Sequence, residues 1–467
     1  MRIRRWRCLL ATVATLLFFL VLLGNSLTLH TQFMGVTVYT VDIALLPLIV
    51  WVALQKLVAP RTLPFRWTSL DLLLCVFFLL VCVSFVASLD RVHSLMGLLE
   101  WVRIVAFYFC ARMLCGSVLS ERNLMLQFGV LTAFLLGLGF AQIITGEPIG
   151  VIGKYFGDSR EHYAEWIGSQ QRYRVSGPTP NSNVFVIWIT LYGTIALSSF
   201  LDRGRPARFF ALVAAMTTVI LTTLSRGGVM GFVVALLFLI ALHRTRLQSA
   251  SFVISSTLAV SLLFVSLLLT YVATSKLPLA LSHALVVRTE QARDLSAGGQ
   301  RRELFSSGVR LLAEPRIFLL GTGHDNMVRA AMGRRGFGSI LSTIPPDQLY
   351  LTRTGVHHGW LRTAVENGVP AMLVLFILYL EFVRYLLLER RSSDRPDAWN
   401  SYALAIAGTY LVVWSQVYLQ AVSIAVFLPL SMLMALAAAR RTRPEFEREM
   451  PAALNSNWDS RRLGYTP

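Results

Sequence analysis

The chain consists of long apolar runs separated by shorter polar segments. Each run approaches the ~20 residues that a helix needs to cross the hydrocarbon core of a bilayer. Because lipid offers the backbone no hydrogen-bond partners, such runs are predicted to be helices, and the alternation typical of barrel strands is absent. The pattern predicts about twelve membrane-spanning helices, at approximately residues 8–27, 38–57, 69–89, 94–114, 124–145, 183–201, 208–225, 227–243, 250–273, 368–388, 401–420 and 422–439.

The positively charged residues predict how these helices are oriented. Arginine and lysine concentrate before the first predicted span and in the loops after the second, sixth, eighth, tenth and last spans. All of these segments fall on one side of the membrane if both termini are cytoplasmic, as the positive-inside rule requires. The opposite short loops, such as Gly24 to Gly35, are nearly free of both residue types. We therefore expect a multi-pass inner-membrane protein with both termini in the cytoplasm.

This orientation places two long polar segments in the periplasm. In the larger one, Leu304, Phe305, Val309 and Leu312 recur at helical spacing and predict short amphipathic helices at the outer membrane face. The predicted fold class is an all-α integral membrane protein of about twelve transmembrane helices. Its parts are N-terminal transmembrane helices at 1–145, a periplasmic loop at 146–182, central transmembrane helices at 183–274, a large periplasmic loop at 275–367, C-terminal transmembrane helices at 368–440 and a cytoplasmic tail at 441–467.

Composition narrows the classes of partner. The formal net charge is +18, although 55% of the residues are hydrophobic and only 15% are charged. In a soluble protein this charge would suggest nucleic-acid binding, but here membrane topology accounts for much of it, so we expect a lipid bilayer and no nucleic acid as partner. The five cysteines lie in or beside apolar runs, which argues against a disulfide framework and a metal site.

Two arginine motifs fall on the predicted outer side. Arg226 lies in a tight turn, Thr223 to Gly228, between two spans, where it is either a snorkelling arginine or part of an anion site that the glycines leave accessible. Arg301 and Arg302 open the predicted amphipathic helix. Two cations at a helix start oppose the helix dipole, and a bound anion would relieve the conflict. A solvated charge pair is the alternative.

A histidine motif leads directly into the tenth span. It contains His357, His358 and Trp360, with Glu366 further along. A histidine at the mouth of a membrane helix can exchange a proton near neutral pH, although a lone histidine is usually structural.

A fourth motif precedes the sixth span. After chain-breaking Pro and Gly, it presents Asn181 and Asn183 near the interface. Trp166 and other aromatic residues lie just upstream and suit either sugar rings or an ordinary interfacial belt. Separately, Glu100 and Arg103 lie one turn apart in the fourth span, a spacing that permits either an ion pair or contact with a lipid headgroup.

The order of these motifs resembles the O-antigen ligase and polymerase superfamily of bacterial envelope-glycan enzymes, over roughly residues 170 to 440. The matching landmarks are, in order, Gly177 to Asn183, Ser225 to Gly227, Arg301 to Phe305 leading to Gly321 to Gly323, and His357 to Gly368. Three positions depart from the family pattern. His358 stands where Asn is frequent, Phe305 stands where Trp is frequent, and Arg302 leaves open which arginine of the pair has the family role.

The resemblance implies a bacterial membrane glycosyltransferase that needs no metal or other cofactor. It would move a glycan from a polyprenyl-diphosphate carrier to an acceptor hydroxyl, on lipid A–core in a ligase or on a second carrier-linked repeat unit in a polymerase. Arg226, with Arg301 or Arg302, would clamp the diphosphate, because guanidinium groups match its oxygens. His357 would either take the proton of the acceptor hydroxyl or orient the acceptor. The remaining candidates for contact with acceptor or glycan are His358, Trp360, Glu366, Asn181, Asn183 and Trp166.

Other classes of membrane protein remain as alternatives. A twelve-span transporter predicts repeat-related halves and a site at the membrane midplane, whereas no convincing repeat is present and the polar motifs gather at the outer face. A flippase for lipid-linked glycans would likewise need a charged central cavity, and a scaffold protein would use the large loop without chemistry. The sugar, the linkage, the acceptor and the choice between ligase and polymerase stay open.

Overall fold

The computed structural model describes most of the apolar segments of the chain. The described residues are 12–23, 30–33, 36–58, 65–115, 121–145, 164–167, 170–173, 175–178, 182–223, 225–243, 305–324, 326–327, 330, 358–392, 398–414 and 424–449. Among the predicted spans, the segment 250–273 lies outside these residues.

The described residues form a predominantly helical bundle. Its helices are α1 (Thr12–Leu23), α2 (Thr40–Val58), α3 (Ser69–Val86), α4 (Arg91–Leu114), α5 (Glu121–Thr145), α6 (Ser182–Asp202), α7 (Pro206–Thr222), α8 (Arg226–Leu242), α9 (305–311), α10 (Pro315–Leu320), α11 (Gly359–Asn367), α12 (Val369–Ser392), α13 (Ala398–Thr409) and α14 (Ile424–Glu449). Helix α13 continues into a π-helical segment, Tyr410–Trp414. Helix α14 extends past the predicted end of the last span into the predicted tail.

Four of the described helices are long and apolar enough to cross a membrane. These are Ser69–Val86, Asn123–Thr145, Ser182–Asp202 and Val369–Arg390, and Thr12–Leu23, Pro206–Thr222 and Gly227–Leu242 are shorter apolar helices. Each predicted span other than 250–273 overlaps a described helix, although parts of the spans 8–27 and 401–420 lie outside the described residues. The prediction of a helical membrane protein is therefore confirmed, because lipid leaves apolar runs of this length no other way to satisfy their backbone.

Two short β-hairpins add to the predicted helical fold class. Strands β1 (His30–Phe33) and β2 (Val36–Tyr39) pair antiparallel immediately before α2. Strands β3 (Ala164–Ile167) and β4 (Gln170–Tyr173) pair in the segment before α6. The second hairpin falls between predicted spans, and the first overlaps only the first two residues of the predicted span 38–57.

Helix α6 is the central helix of the described bundle. It is buried over most of its length and packs against α5, α7, α8 and α13. A peripheral helix such as α3 is different, because Leu72, Val76 and Leu79 are exposed at helical spacing while Leu74 and Phe77 are buried. Both faces of α3 are apolar, as expected for a helix that contacts protein on one side and lipid on the other.

An arginine–aspartate pair connects α4 to α2. The Arg103 guanidinium donates to both carboxylate oxygens of Asp42, at 2.5 and 3.0 Å. The local spacing allowed either an ion pair between Glu100 and Arg103 or contact with a lipid headgroup, and it gave no sign of Asp42. The structure supplies a bidentate partner from another helix, the strongest geometry for an ion pair between these groups.

A second buried ion pair centres on Asp71 in the first turn of α3. One carboxylate oxygen accepts hydrogen bonds from the backbone N–H and the hydroxyl of Thr68, both at 2.7 Å, and thereby caps the helix. The other accepts from the Tyr108 hydroxyl at 2.8 Å and lies 3.7 Å from Nε of Arg112. Asp71 and Arg112 are both buried, so each charge depends on the other for compensation.

We expect Asp71→Ala to lower the free energy of unfolding by roughly 3–5 kcal/mol, because the Arg112 guanidinium would stay buried without a counter-charge. Thermal and denaturant unfolding of the purified protein in detergent measures the loss. The matched control is Asp42→Ala, whose carboxylate is more exposed and should cost clearly less. Equal losses in the two variants would contradict this assignment of the effect to burial.

Candidate functional site

The polar motifs lie at one end of the described bundle. At the far end, the Arg390 guanidinium of α12 donates to the carbonyl oxygen of Leu242, the last residue of α8, over 2.8 Å. Because α8 and α12 both reach this end with their C-termini, their N-termini lie together at the opposite end. We call that opposite end the motif end; it carries Gly177, the turn 225–228, the segment 321–324 and α11.

The turn at Gly177 is held by a side chain from the end of α5. The Gln142 amide oxygen accepts from the backbone N–H groups of Ser176 and Gly177, at 3.1 and 2.9 Å, and its amide nitrogen donates to the Gly177 carbonyl at 2.9 Å. The N–H of Val175 donates to the carbonyl of Thr222 at the end of α7, at 3.4 Å. This segment therefore lies beside the turn between α7 and α8.

That turn places Arg226 at a helix N-terminus. Ser225 is the N-cap residue of α8, and its hydroxyl accepts a hydrogen bond from the backbone N–H of Gly228 at 3.2 Å. A side chain at Gly228 would collide with Val186 of α6, since an added Cβ would lie 2.4 Å from a Val186 methyl group. Close packing on α6 thus fixes the first turn of α8, whose free N–H groups favour an anion.

His358 has a structural task at the start of α11. It is the N-cap residue, and its Nδ1 atom accepts a hydrogen bond from the backbone N–H of Leu361 at 3.3 Å. Accepting at Nδ1 leaves the ring proton on Nε2 in the neutral form. Burial lowers the pKa of the imidazole, which outweighs an opposing backbone hydrogen bond. The family's frequent Asn at this position is itself a preferred N-cap residue, so the departure preserves the capping chemistry.

Helix α9 packs beside this cap. The ring of Phe305, the first described residue of α9, meets the His358 imidazole edge to face, with centroids 5.7 Å apart. Further along, Leu311 of α9 shares a small apolar core with Leu361 and Val365 of α11. Phe305 and Val309 are exposed on the other side of α9. The described part of the predicted amphipathic helix thus has one packed face and one exposed apolar face.

The glycine segment 321–323 runs alongside the end of α11. The N–H of Thr322 donates to the Val365 carbonyl, and that of Gly323 donates to the Glu366 carbonyl, both at 2.9 Å. Gly321 has a φ of +76°, and an added Cβ would lie 2.3 Å from the Glu366 carbonyl oxygen. Glycine is therefore required at Gly321 by both conformation and space.

Glu366 is not available to a glycan in this structure. Its side chain is only 1% exposed, and its carboxylate accepts from Nε of Arg362 at 2.9 Å and lies 3.5 Å from Nδ1 of His324. The contact of Glu366 with acceptor or glycan stays a prediction; in this structure its carboxylate lies in a buried polar cluster with Arg362 and His324. Removing one member of such a cluster would leave another charge buried and uncompensated.

Trp360 also faces the protein. Its ring meets Phe376, Tyr379 and Tyr410 edge to face, with centroid distances of 5.5, 6.0 and 6.5 Å. These partners belong to α12 and to the π-helical segment. Trp360 therefore anchors α11 to the bundle, in a geometry that aromatic pairs favour.

Part of the chain matches a known protein family. The model of the O-antigen ligase family matches residues 211–376. This confirms the resemblance to the O-antigen ligase superfamily. The matched O-antigen ligase segment begins in α7, contains three of the four landmarks and ends in α12, whereas the Gly177 turn and helices α1 to α6 lie outside it. No curated protein matches the chain.

The remaining candidates are placed only in part. Asn183 lies in the first turn of α6, and Trp166 lies in β3. Arg301, Arg302, His357 and Asn181 lie outside the described residues. Within the described ranges, no cluster of three or more His, Cys, Asp or Glu side chains is arranged to hold a metal ion.

Three residues that organise the motif end were missing from the sequence-based candidates. Gln142 is an isolated amide near the end of an apolar run, and Asn326 follows the glycine segment closely. Arg362 lies four residues before Glu366, a spacing that allows a pair along one helix. Each carried a local signal of a polar side chain in an apolar or tightly packed setting, but none pointed to a partner.

The cap formed by His358 generates a pH-dependent prediction. We expect His358→Ala to lower the free energy of unfolding by about 1 kcal/mol, whereas His358→Asn should preserve it. Because the folded-state pKa is lowered from 6.5, the unfolded chain takes up the proton first as pH falls, so the wild type should lose stability below that value. Thermal unfolding between about pH 5.5 and 7.5, a window that brackets the ordinary histidine pKa, measures both effects.

The His358→Asn variant is the control, because it retains a capping acceptor without a titrating ring. Its stability should depend less on pH than that of the wild type. An identical pH dependence in the two proteins would contradict a role for His358 as a titrating cap.

Proposed function

We propose that the chain is a membrane glycosyltransferase that transfers a glycan from a polyprenyl-diphosphate carrier to an acceptor hydroxyl at the periplasmic face. The contact between Phe305 and His358 carries the proposal. Arg301 precedes Phe305 by four residues, and His357 directly precedes His358. This ring contact therefore joins two residues that lie close in sequence to the arginine pair and to the histidine pair, respectively.

A helix start favours a dense anion at this end. Arg226 is the first residue of α8, where the helix dipole already contributes positive partial charge. A cation there is unfavourable without a ligand and becomes favourable beside a diphosphate. The sequence predicts a similar arrangement for Arg301 and Arg302, which lie outside the described residues. Guanidinium groups bind phosphate oxygens in a bidentate manner, which a lysine does not reproduce.

The reaction then needs little further chemistry, because a lipid diphosphate is a good leaving group. The acceptor oxygen forms a bond to the anomeric carbon, the bond from that carbon to the diphosphate oxygen breaks, and the diphosphate leaves held by the arginines. His357 takes the acceptor proton as general base. Direct displacement inverts the anomeric configuration. His358 is excluded from this role at Nδ1, since that atom caps α11.

The proposed topology has twelve membrane crossings with both termini in the cytoplasm. The motif end is then the periplasmic end, and residues 146–182 and 275–367 are periplasmic. Trp166 and its aromatic neighbours would face the glycan, and Asn181 and Asn183 would lie near the acceptor. The gathering of polar motifs at one end of the bundle supports a surface site and disfavours a transporter or flippase, which needs a site near the midplane.

The acceptor distinguishes two forms of this enzyme. A ligase transfers the glycan to lipid A–core, and a polymerase of the same superfamily transfers it to a second carrier-linked repeat unit. The family match is to the O-antigen ligase model, which makes the ligase our first choice. Supplying each acceptor in turn to the purified protein decides between them.

We expect Arg226→Lys and His357→Ala each to lower glycan transfer by at least ~10²-fold, through loss of bidentate charge stabilisation and of the general base, respectively. Arg301→Ala should weaken donor use more than Arg302→Ala, since Arg301 stands at the family spacing from Phe305. The measurement is transfer from a purified polyprenyl-diphosphate glycan in the presence and absence of a chelator.

The matched control is Arg205→Lys, because Arg205 precedes α7 at the other end of the bundle and should tolerate the change. Expression and membrane insertion of all variants should equal those of the wild type. Full activity of His357→Ala, or activity restored only by a divalent metal, would overturn the mechanism.

The topology is tested independently of activity. In a cysteine-free background, a cysteine replacing Ser296 should react with a membrane-impermeant maleimide in spheroplasts, whereas one replacing Ser456 in the tail should react only after permeabilisation. The reverse pattern would overturn the topology and the periplasmic site with it.

A further inference from the structure

The connection between α3 and α4 forms hydrogen bonds with the segment that follows α10. We call this set of contacts the clasp. The Asn326 side-chain nitrogen lies 2.8 Å from the hydroxyls of both Ser88 and Ser94 and 3.0 Å from the Asp90 carbonyl. The Ser94 hydroxyl in turn donates to the carbonyl of His324 at 3.1 Å. Asn326 is fully buried, so these bonds form inside the protein, where an unmade bond is costly.

Backbone contacts reinforce this clasp. The N–H of Leu89 donates to the Thr322 carbonyl at 3.2 Å. The Arg316 guanidinium of α10 donates to the Ala87 carbonyl at the end of α3, at 3.0 Å. Gly323 has a φ of +87°, and an added Cβ would lie 2.2 Å from the Ser88 hydroxyl. The segment is therefore pressed against residues 87–90 along its length.

The same region of α3 also reaches α11. The Ser84 hydroxyl donates to the Glu366 carbonyl at 2.7 Å, the carbonyl that also accepts from Gly323. Glu366 joins His324 and Arg362 in the buried polar cluster. Helix α11, the glycine segment and the end of α3 thus form one connected network.

We propose that Asn326 is a positioning residue that locks α9, α10 and α11 onto the α3–α4 connection and so fixes how α9 packs against α11, the two helices that the arginine motif and the histidine motif adjoin in sequence. The proposal rests on the proposed function for its catalytic meaning. In structural terms, residues 84–94 lie outside the segment matched by the family model. They nevertheless hold the positions of α9, α10 and α11, which lie inside it. Asn326 itself is too buried to touch a substrate.

This role predicts a loss of turnover with binding retained. A displacement of about 1 Å between reacting groups lowers rate by roughly 10- to 100-fold. In Asn326→Ala, we expect kcat to fall by about this factor while KM for donor and acceptor changes by about twofold or less. The double variant Ser88→Ala with Ser94→Ala should show the same loss. Combining it with Asn326→Ala should add little, because the three side chains act through shared bonds.

The matched control is Asn400→Ala at the other end of the bundle. Asn400 is also buried, and its amide donates to the Leu386 carbonyl at 2.9 Å. The Asn400→Ala variant should have its melting temperature lowered about as much as Asn326→Ala, since each change removes one buried hydrogen-bonding amide. Its kcat should remain near that of the wild type. Equal losses of kcat in the two variants would reduce Asn326 to a general stabilising residue and overturn the proposal.

A distance measurement tests the link without relying on activity. Spin labels on cysteines replacing Val92 of α4 and Val309 of α9, both exposed positions, report the separation across the clasp in a cysteine-free background. We expect a narrow distance distribution in the parent and in Asn400→Ala, and a shifted or broadened one in Asn326→Ala. Loss of turnover with an unchanged distribution would overturn the proposal. If the parent transfers no glycan to either acceptor, the proposed function fails, and the distance distributions alone decide whether Asn326 holds the clasp.

Discussion

Two segments at the motif end depend on hydrogen bonds to distant parts of the bundle. Lipid cannot pair with the backbone, so a chain that leaves a helix near the membrane surface must find partners within the protein. Gln142 of α5 forms three bonds with the Gly177 turn, and Asn326, just after the glycine segment, bonds to Ser88, Asp90 and Ser94 of the α3–α4 connection. Packing between helices therefore fixes these segments, which local sequence alone would leave undetermined.

The helices were predictable because bilayer thickness sets the length of an apolar run and leaves one structure for it. Features outside the apolar layer followed weaker rules. Helix α14 continues to Glu449, because charged residues beyond the membrane are still good helix formers. The hairpin before α2 has a two-residue connection ending in Gly35, a known turn signal, but its strands are too short for periodicity to reveal.

The candidate site was predictable as a set of motifs and not as a set of contacts. Spacing allowed Glu100 to pair with Arg103 or to contact a lipid headgroup, but it gave no sign of Asp42, which binds Arg103 from 61 positions away in the chain. Spacing likewise presented Glu366 as a polar group at the mouth of a helix, whereas burial turns it into the counter-charge of Arg362. The sequence shows which side chains could bind or react with a substrate. Long-range packing decides which of those side chains are instead paired with other residues of the protein.

His358 illustrates how structure changes the meaning of a departure from a family pattern. As a second histidine beside His357, it was a candidate for contact with acceptor or glycan. Read as an N-cap, it replaces the carbonyl oxygen of an Asn with an imidazole nitrogen and keeps the first turn of α11 closed. Its ring also contacts Phe305, which an Asn would do less well, and Phe305 itself stands where the family often has the larger Trp. The two departures therefore meet in space, and together they maintain the packing between α9 and α11.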